Sequence, residues 1–342
     1  MGACSSSNDR MGLTNPKNRP STCVNDPLAS ATNAAVARGM EGQTMAALRD
    51  IIVVLDDAAP SETRLALALA LAQQHNAYLT GLSALDLLAP ARPVVQPRDP
   101  LDTNAPTVSA LLNLAPGRRS DYAEVDTQAA EKAERLETAF RERLRLSGVP
   151  GDWRLASGKV SEAVVRQARH TDLIVLGQID PNHPPPASGR HLVEDVLLTS
   201  GRPILVVPYI GPFKTTGTRV LVAWNNSREA ARAVHDALPL LAKAASVTIL
   251  AVNSGRREPA ADEASTADLI AHLARHGISA EAERTVAVDI SVPDALLSYA
   301  ADMNADLLVA GGYGHSRLRE RILGGITHAL LQHLTLPGLL SH

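Results

Sequence analysis

Short apolar runs recur along the chain, and stretches with helical spacing separate them. Residues 51–55, 78–82, 173–176 and 204–207 read as buried strands, with another around 153–155. Between them, residues 62–74, 121–146, 161–169 and 191–199 read as helices. Strands that alternate with helices predict a parallel sheet covered on both faces. The pattern then starts again. Strands at 220–224, 247–252, 280–286 and 307–310 alternate with a helix running to about 241, then helices at 267–276 and 293–301. Ile326, Ala329, Leu330 and Leu334 have the spacing of one helix face, and Leu339 and Leu340 read as a last strand.

The restart is visible residue by residue. Asp172-Leu173-Ile174-Val175 matches Asp306-Leu307-Leu308-Val309, and the same ungapped offset sets Gly177 on Gly311 and Pro203 on Pro337. This is a tandem repeat of an α/β unit of about 150 residues, a sound size for one domain. The division it predicts is 48–210 for the first unit and 217–342 for the second. Residues 1–47 are rich in Ser, Asn, Ala and Pro without sustained period, which predicts a disordered tail. Met45, just before the first strand, reads as the true start. A serine at position 6 formally suits an N-myristoylation signal, the weaker reading of this tail. A Pro-rich stretch at about 90–119 is too long for an ordinary connection and reads as an insertion in the first unit.

Composition narrows the function classes. With 45% hydrophobic residues in 342, the chain has ample material for two cores. A net charge of −3 carries no nucleic-acid signature, and 3% aromatics leave little for base stacking. Cys4 and Cys23 are the only cysteines and both lie in the tail, so the body has no disulfide framework, which fits a reducing cytoplasm. No apolar run reaches membrane-spanning length, so neither a membrane nor a nucleic acid is expected as partner.

The informative stretch is the last one. After the strand at 307–310 the chain breaks at Gly311, Gly312 and Gly314, then at Gly324 and Gly325, where a helix begins. Glycine admits close backbone approach, and free N–H groups at a helix start point at an anion. Tight turns in a doubly wound domain would use the same glycines.

Gly311-x2-Gly314-x9-Gly324 followed by a small residue resembles the nucleotide-binding signature of the universal stress protein family. That resemblance implies a glycine loop and helix start wrapping the ribose and phosphates of ATP or AMP. It departs at Gly325, where the family's ATP binders carry Ser or Thr; Thr327 lies two residues on. The lost hydroxyl removes a hydrogen bond of about 0.5–1.5 kcal/mol. The family also uses an aspartate after the first strand to hold adenine. The first unit has Asp56 there and the second has Asn225. Opposite Gly314 stands Asp180, and opposite Gly324 and Gly325 stand Arg190 and His191, so the first unit has lost the cradle.

The resemblance implies an α/β fold of two doubly wound parallel five-stranded sheets, each in order 3-2-1-4-5, with a crevice at the carboxyl ends of strands one and four. It implies pairing of the two last strands as an intramolecular pseudo-dimer, with room for a further homodimer. The site residues it implies are Asn225, Gly311, Gly314, Gly324 and Gly325. The expected function is a cytoplasmic stress-response protein binding adenine nucleotide in its second unit, or else a nucleotide-free interaction scaffold. No catalysis is expected. A P-loop is absent, and no Ser/His/Asp or Cys/His motif is present. His328 and His333, five apart, do not share a helix face as a metal pair would, and His315 and His342 add no motif. Arg317, Arg319 and Arg321 read either as phosphate partners or as a solvated face.

Overall fold

The computed structural model describes residues 47–85, 127–185, 189–253, 259–287, 289–313 and 325–342. The expected tail, the Pro-rich insertion, Gly314, Gly324, His315 and the arginines at 317, 319 and 321 lie outside the described residues.

The first half runs β1 (Asp50–Val54), α1 (Pro60–His75), β2 (Tyr78–Leu85), α2 (Thr127–Ser147), β3 (Gly151–Ser157), α3 (Val160–Ala168), β4 (Leu173–Gly177), α4 (Leu192–Thr199), β5 (Ile204–Val207). The second half repeats this as β6 (Arg219–Ala223), α5 (Arg228–Leu241), β7 (Ser246–Asn253), α6 (Pro259–Arg275), β8 (Glu281–Val286), α7 (Val292–Asp302), β9 (Leu307–Gly311), α8 (Gly325–His333), β10 (Gly338–Ser341). Helix α6 begins eight residues before the apolar spacing announces it, because Pro259 suits a first helical turn and the following Ala-rich stretch propagates it. Strands β2 and β3 are longer than their apolar runs because they pair along their whole length, from Leu79 opposite Gly151 to Leu85 opposite Ser157.

Each half has the order 3-2-1-4-5, and the halves share an edge. Among the described residues the order is β3-β2-β1-β4-β5-β10-β9-β6-β7-β8, one sheet of ten strands. All pairings are parallel except the seam, where β10 runs antiparallel to β5 with Leu339 opposite Leu205. Joining the last strands covers two edges that would otherwise template further pairing. The free edge at β8 carries exposed Glu281, Glu283 and Arg284, charges that discourage such pairing.

Strand alternation sends side chains to two cores. Ile51, Val53 and Leu55 join α1, α2, α5 and α6 on one face. Ile52 and Val54 join α3, α4, α7 and α8 on the other. This division follows from right-handed crossovers, which reverse direction once the chain returns past the first strand of each half. The matched aspartates of the repeat have a shared structural task. Asp172 accepts the N–H groups of Arg49 at 2.7 Å and Asp50 at 3.1 Å, while Asp306 accepts those of Thr218 at 2.9 Å and Arg219 at 2.8 Å. Each carboxylate satisfies the backbone where its half's central strand begins.

Candidate functional site

In an open α/β sheet a ligand crevice forms outside the carboxyl ends of the strands where the order reverses. Here there are two such points, after β1 and β4 and after β6 and β9. In the first, a side chain already occupies the space. Arg64, on the second turn of α1, is 5% exposed, and its guanidinium lies where a Cβ on Gly177 would stand. Its Nη2 donates to Asp56 Oδ1 at 3.0 Å and to Ser61 Oγ, and Ser61 Oγ in turn donates to Asp56 Oδ1 at 2.6 Å. Burial pushes the Asp56 carboxyl up, but the charge of Arg64 with the hydrogen bonds from Ser61, Arg64 and Ala58 outweighs it and holds the group below its ordinary value. Asp56, the position that would meet adenine, is therefore captive to an internal cation. Beyond β4, Asp180 accepts the Asn182 N–H at 2.8 Å and meets His183 Nδ1 at 2.9 Å, which turns its carboxylate into a local turn. Arg190 and His191 are both exposed just before α4.

The second crevice is arranged differently: Glu229 of α5, 2% exposed and ion-paired with Arg228, lies beside Gly311. After β6, Asn225 Oδ1 accepts the Ser227 N–H at 3.1 Å, and Asn226 takes a left-handed φ of 54°. Ser227 then caps α5, its Oγ accepting the Ala230 N–H at 3.1 Å, as expected of a serine before a helix. Gly311 is where α5 touches the sheet. A Cβ there would stand 2.5 Å from Ala230 N and 2.6 Å from the carbonyl carbon of Glu229. Its lack of a side chain serves helix–sheet packing. Gly312 is equally enclosed, with a Cβ site 2.7 Å from Leu197 of α4, and its N–H donates to Ser341 O at 2.8 Å. Tyr313, at φ 54°, donates its N–H to Thr327 Oγ1 at 3.0 Å. Thr327 is buried and turned inward, so it does not stand in for the hydroxyl missing at Gly325. Gly325 itself is exposed at the first turn of α8, and among the described residues no atom outside its own helix stands within 4 Å of an added Cβ.

Beside this crevice, a cleft of about 520 Å³ opens between α5 and α6. Trp224, Val234 and Leu269 form its apolar wall; Asn226, His235, Asp268 and His272 form its polar rim. The Trp224 indole N–H donates to Ser265 Oγ at 3.0 Å, fixing the ring at the end of β6. Apolar walls with a few polar groups are the usual make-up of a small-molecule site. Sequence reading passed over three residues that shape these crevices: Arg64, Glu229 and Trp224. Arg64 carried one signal, a cation placed three residues after Ser61 on a helix otherwise built of Leu and Ala.

Residues 217–342 match the sequence profile of the Universal stress protein family. This half of the chain is a universal stress protein domain. Comparison with curated proteins finds no match. Among solved structures, a universal stress protein from Archaeoglobus fulgidus DSM 4304 superposes with a TM-score of 0.63 at 15% identity, covering 85% of this chain and 97% of that one. A functionally unknown protein from Pseudomonas aeruginosa PAO1 superposes with a TM-score of 0.53 at 16% identity, covering 86% of this chain and 92% of that one. At such identities the likeness is one of fold, and it extends over both halves.

The universal stress protein domain meets the first half through polar contacts as well as the strand seam. Gln178, which follows Gly177 as Gly312 follows Gly311, donates from Nε2 to Leu331 O at 2.9 Å and Gln332 O at 3.0 Å, at the end of α8. Glu194 of α4, 5% exposed, meets His328 Nδ1 of α8 at 3.3 Å. Beside it the Tyr313 hydroxyl is buried with no hydrogen-bond partner among the described residues; burial first and the Glu194 charge second push its pKa well above the ordinary tyrosine value. Among the described residues no helix is long and apolar enough to cross a membrane.

Proposed function

We propose that this chain is a stress-response protein that binds one adenine nucleotide, ATP or AMP, in its universal stress protein domain and carries no dedicated catalysis. The observation that supports this most is the asymmetry of the two crevices. Arg64 fills the first with a charge-paired guanidinium, whereas the second has a cleft of about 520 Å³ beside it and, among the described residues, space around Gly325. In this reading the base enters the cleft beside Asn225, and the phosphates lie over the helix start at Gly325. Aligned backbone dipoles favour negative charge there. Gly311 contributes by seating α5, and Gly314 and Gly324 supply the remainder of the loop. Calorimetry of the full chain against ATP and AMP tests it: one site per chain is expected. Arg64→Met should leave that number unchanged, because the first crevice still lacks a glycine cradle. Two equal sites, or heat that vanishes in Asn225→Ala alone while Gly325 variants behave like the parent, would count against the assignment.

A second reading, a nucleotide-free interaction scaffold, has its own observation. The N–H groups of Gly312 and Tyr313, which an anion cradle would aim at phosphate, are already bonded inside the protein, and the Glu229 side chain presses on Gly311. Mass spectrometry of gently desalted protein separates the two readings: co-purified nucleotide supports the first, and its absence together with silent calorimetry supports the second.

A further inference from the structure

His272 stands on the rim of the cleft between α5 and α6 with His276 packed beside it, and the nucleotide reading uses neither. His272 lies on the last turns of α6 and His276 directly beyond its end, four residues apart, where the His276 N–H still follows the helix by donating to Leu273 O at 2.9 Å. Residues four apart on a helix present their side chains to the same side. The two imidazoles do so here: their ring centres are 4.8 Å apart and their planes 63° from one another.

That separation has a chemical meaning. An ion bound by a ring nitrogen at about 2.0–2.1 Å stands about 3.2 Å from the ring centre, so two imidazoles sharing one ion at near-tetrahedral angles have centres about 5 Å apart. The pair is thus spaced as it would be around a shared ion. We infer that His272 and His276 form a two-histidine chelate for a divalent transition cation such as Zn²⁺ or Ni²⁺ at the mouth of this cleft, with water completing the coordination. Imidazole donors select these ions over Mg²⁺ and Ca²⁺, which prefer oxygen.

The surroundings agree with that assignment. His272 is half-buried while His276 is exposed, giving an ion an open approach. Asp268, one turn before His272 and also lining the cleft, offers a negative charge that offsets Arg275. His235 faces the cleft from α5. Among the described residues no group of three or more His, Cys, Asp or Glu side chains is gathered for an ion, so the site is a two-ligand one.

The test is a Zn²⁺ titration of the full, tag-free chain at neutral pH, followed by calorimetry and by the imidazole resonances in a nitrogen–proton correlation spectrum. One ion per chain is expected, with the resonances of His272 and His276 moving and those of His75 and His170 staying in place. His272→Gln and His276→Ala should each weaken binding at least tenfold, and the double variant should bind no ion at the cleft. His328→Ala, on the opposite face of the sheet, should bind like the parent. A parent that binds no Zn²⁺, or a double variant that keeps the parent's affinity while its circular dichroism is unchanged, would overturn the inference. Equal weakening by His328→Ala would overturn it too, placing the ion elsewhere.

Discussion

The two halves have the same strand order, the same helix faces and the same aspartate at the start of the central strand, yet their crevices are built in opposite ways. At the end of the fourth strand both have glycine. Gly177 makes room for the tip of a side chain, Arg64, while Gly311 makes room for the backbone of α5. The consequence is that α1 leaves a gap over its sheet which a guanidinium fills, whereas α5 sits directly on β9 and leaves its opening further out, at Gly325 and in the cleft. A repeated fold therefore does not repeat a site. What decides is whether the helix after the first strand approaches through its backbone or through a long side chain.

The largest effect expected from breaking this comparison is at Gly325. Among the described residues a Cβ there meets nothing outside its own helix, and an aspartate at a helix start stabilises the helix by about 0.3–1 kcal/mol, so Gly325→Asp should fold at least as well as the parent. A carboxylate about 4 Å from a bound phosphate costs about 4 kcal/mol at an effective dielectric near 20, close to a thousandfold in affinity. Calorimetry with ATP reads it directly, and unchanged affinity would remove phosphate from this helix start.

The matched glycines give the next contrast. Gly311→Ala pushes a methyl group into helix backbone and should cost about 3 kcal/mol. Gly177→Ala meets the end of a flexible arginine and should cost about 1 kcal/mol. Denaturant unfolding of the two variants side by side measures the difference; equal losses would mean that α5 and α1 seat alike.

A third prediction concerns the end of α1, where the halves touch through Lys243, whose ammonium donates to Gln74 O. His75 is 3% exposed, with neither ring nitrogen hydrogen-bonded among the described residues. Burial, and secondly the Lys243 charge, lower its pKa from 6.5 to about 4. Between these values the unfolded chain binds a proton that the folded one refuses. The stabilisation is thus complete above pH 6.5 and is lost as the pH falls toward 4, by about 3 kcal/mol. His75→Leu should flatten that part of a stability-versus-pH curve, and an unaltered acid slope would show that other groups control it.

The smallest effect sharpens the site. Gly325→Ser restores a hydroxyl where family ATP binders carry one, and a single added hydrogen bond of about 0.5–1.5 kcal/mol should raise nucleotide affinity about threefold to tenfold. A serine variant that binds no better would mean that this position does not face the ligand.

Much of the architecture was written in one dimension. Four-residue apolar runs such as 173–176 and 204–207 can only be buried strands when helices flank them, and the match of Asp172 to Asp306 disclosed the duplication before any coordinate did. The pairing of the last strands was implied by the family resemblance rather than by the residues themselves. The candidate site was legible only as a list of glycines, because glycine marks close approach without saying what approaches. Residue type alone could not tell that α5 backbone meets Gly311, that Leu197 from the other half meets Gly312, or that Ser341 and Thr327 take the N–H groups of Gly312 and Tyr313. Arg64 stands in the sequence as one cation on a Leu-rich helix; only the fold brings it within reach of Asp56 and Gly177 and makes it a buried plug. His272 and His276 reveal their shared side by spacing, but that they overlook a cleft depends on how far α6 stands from α5. Local pattern sets which elements form and which faces they bury. The distances between elements, and hence which spaces stay open to a ligand, come from packing among residues far apart in the chain.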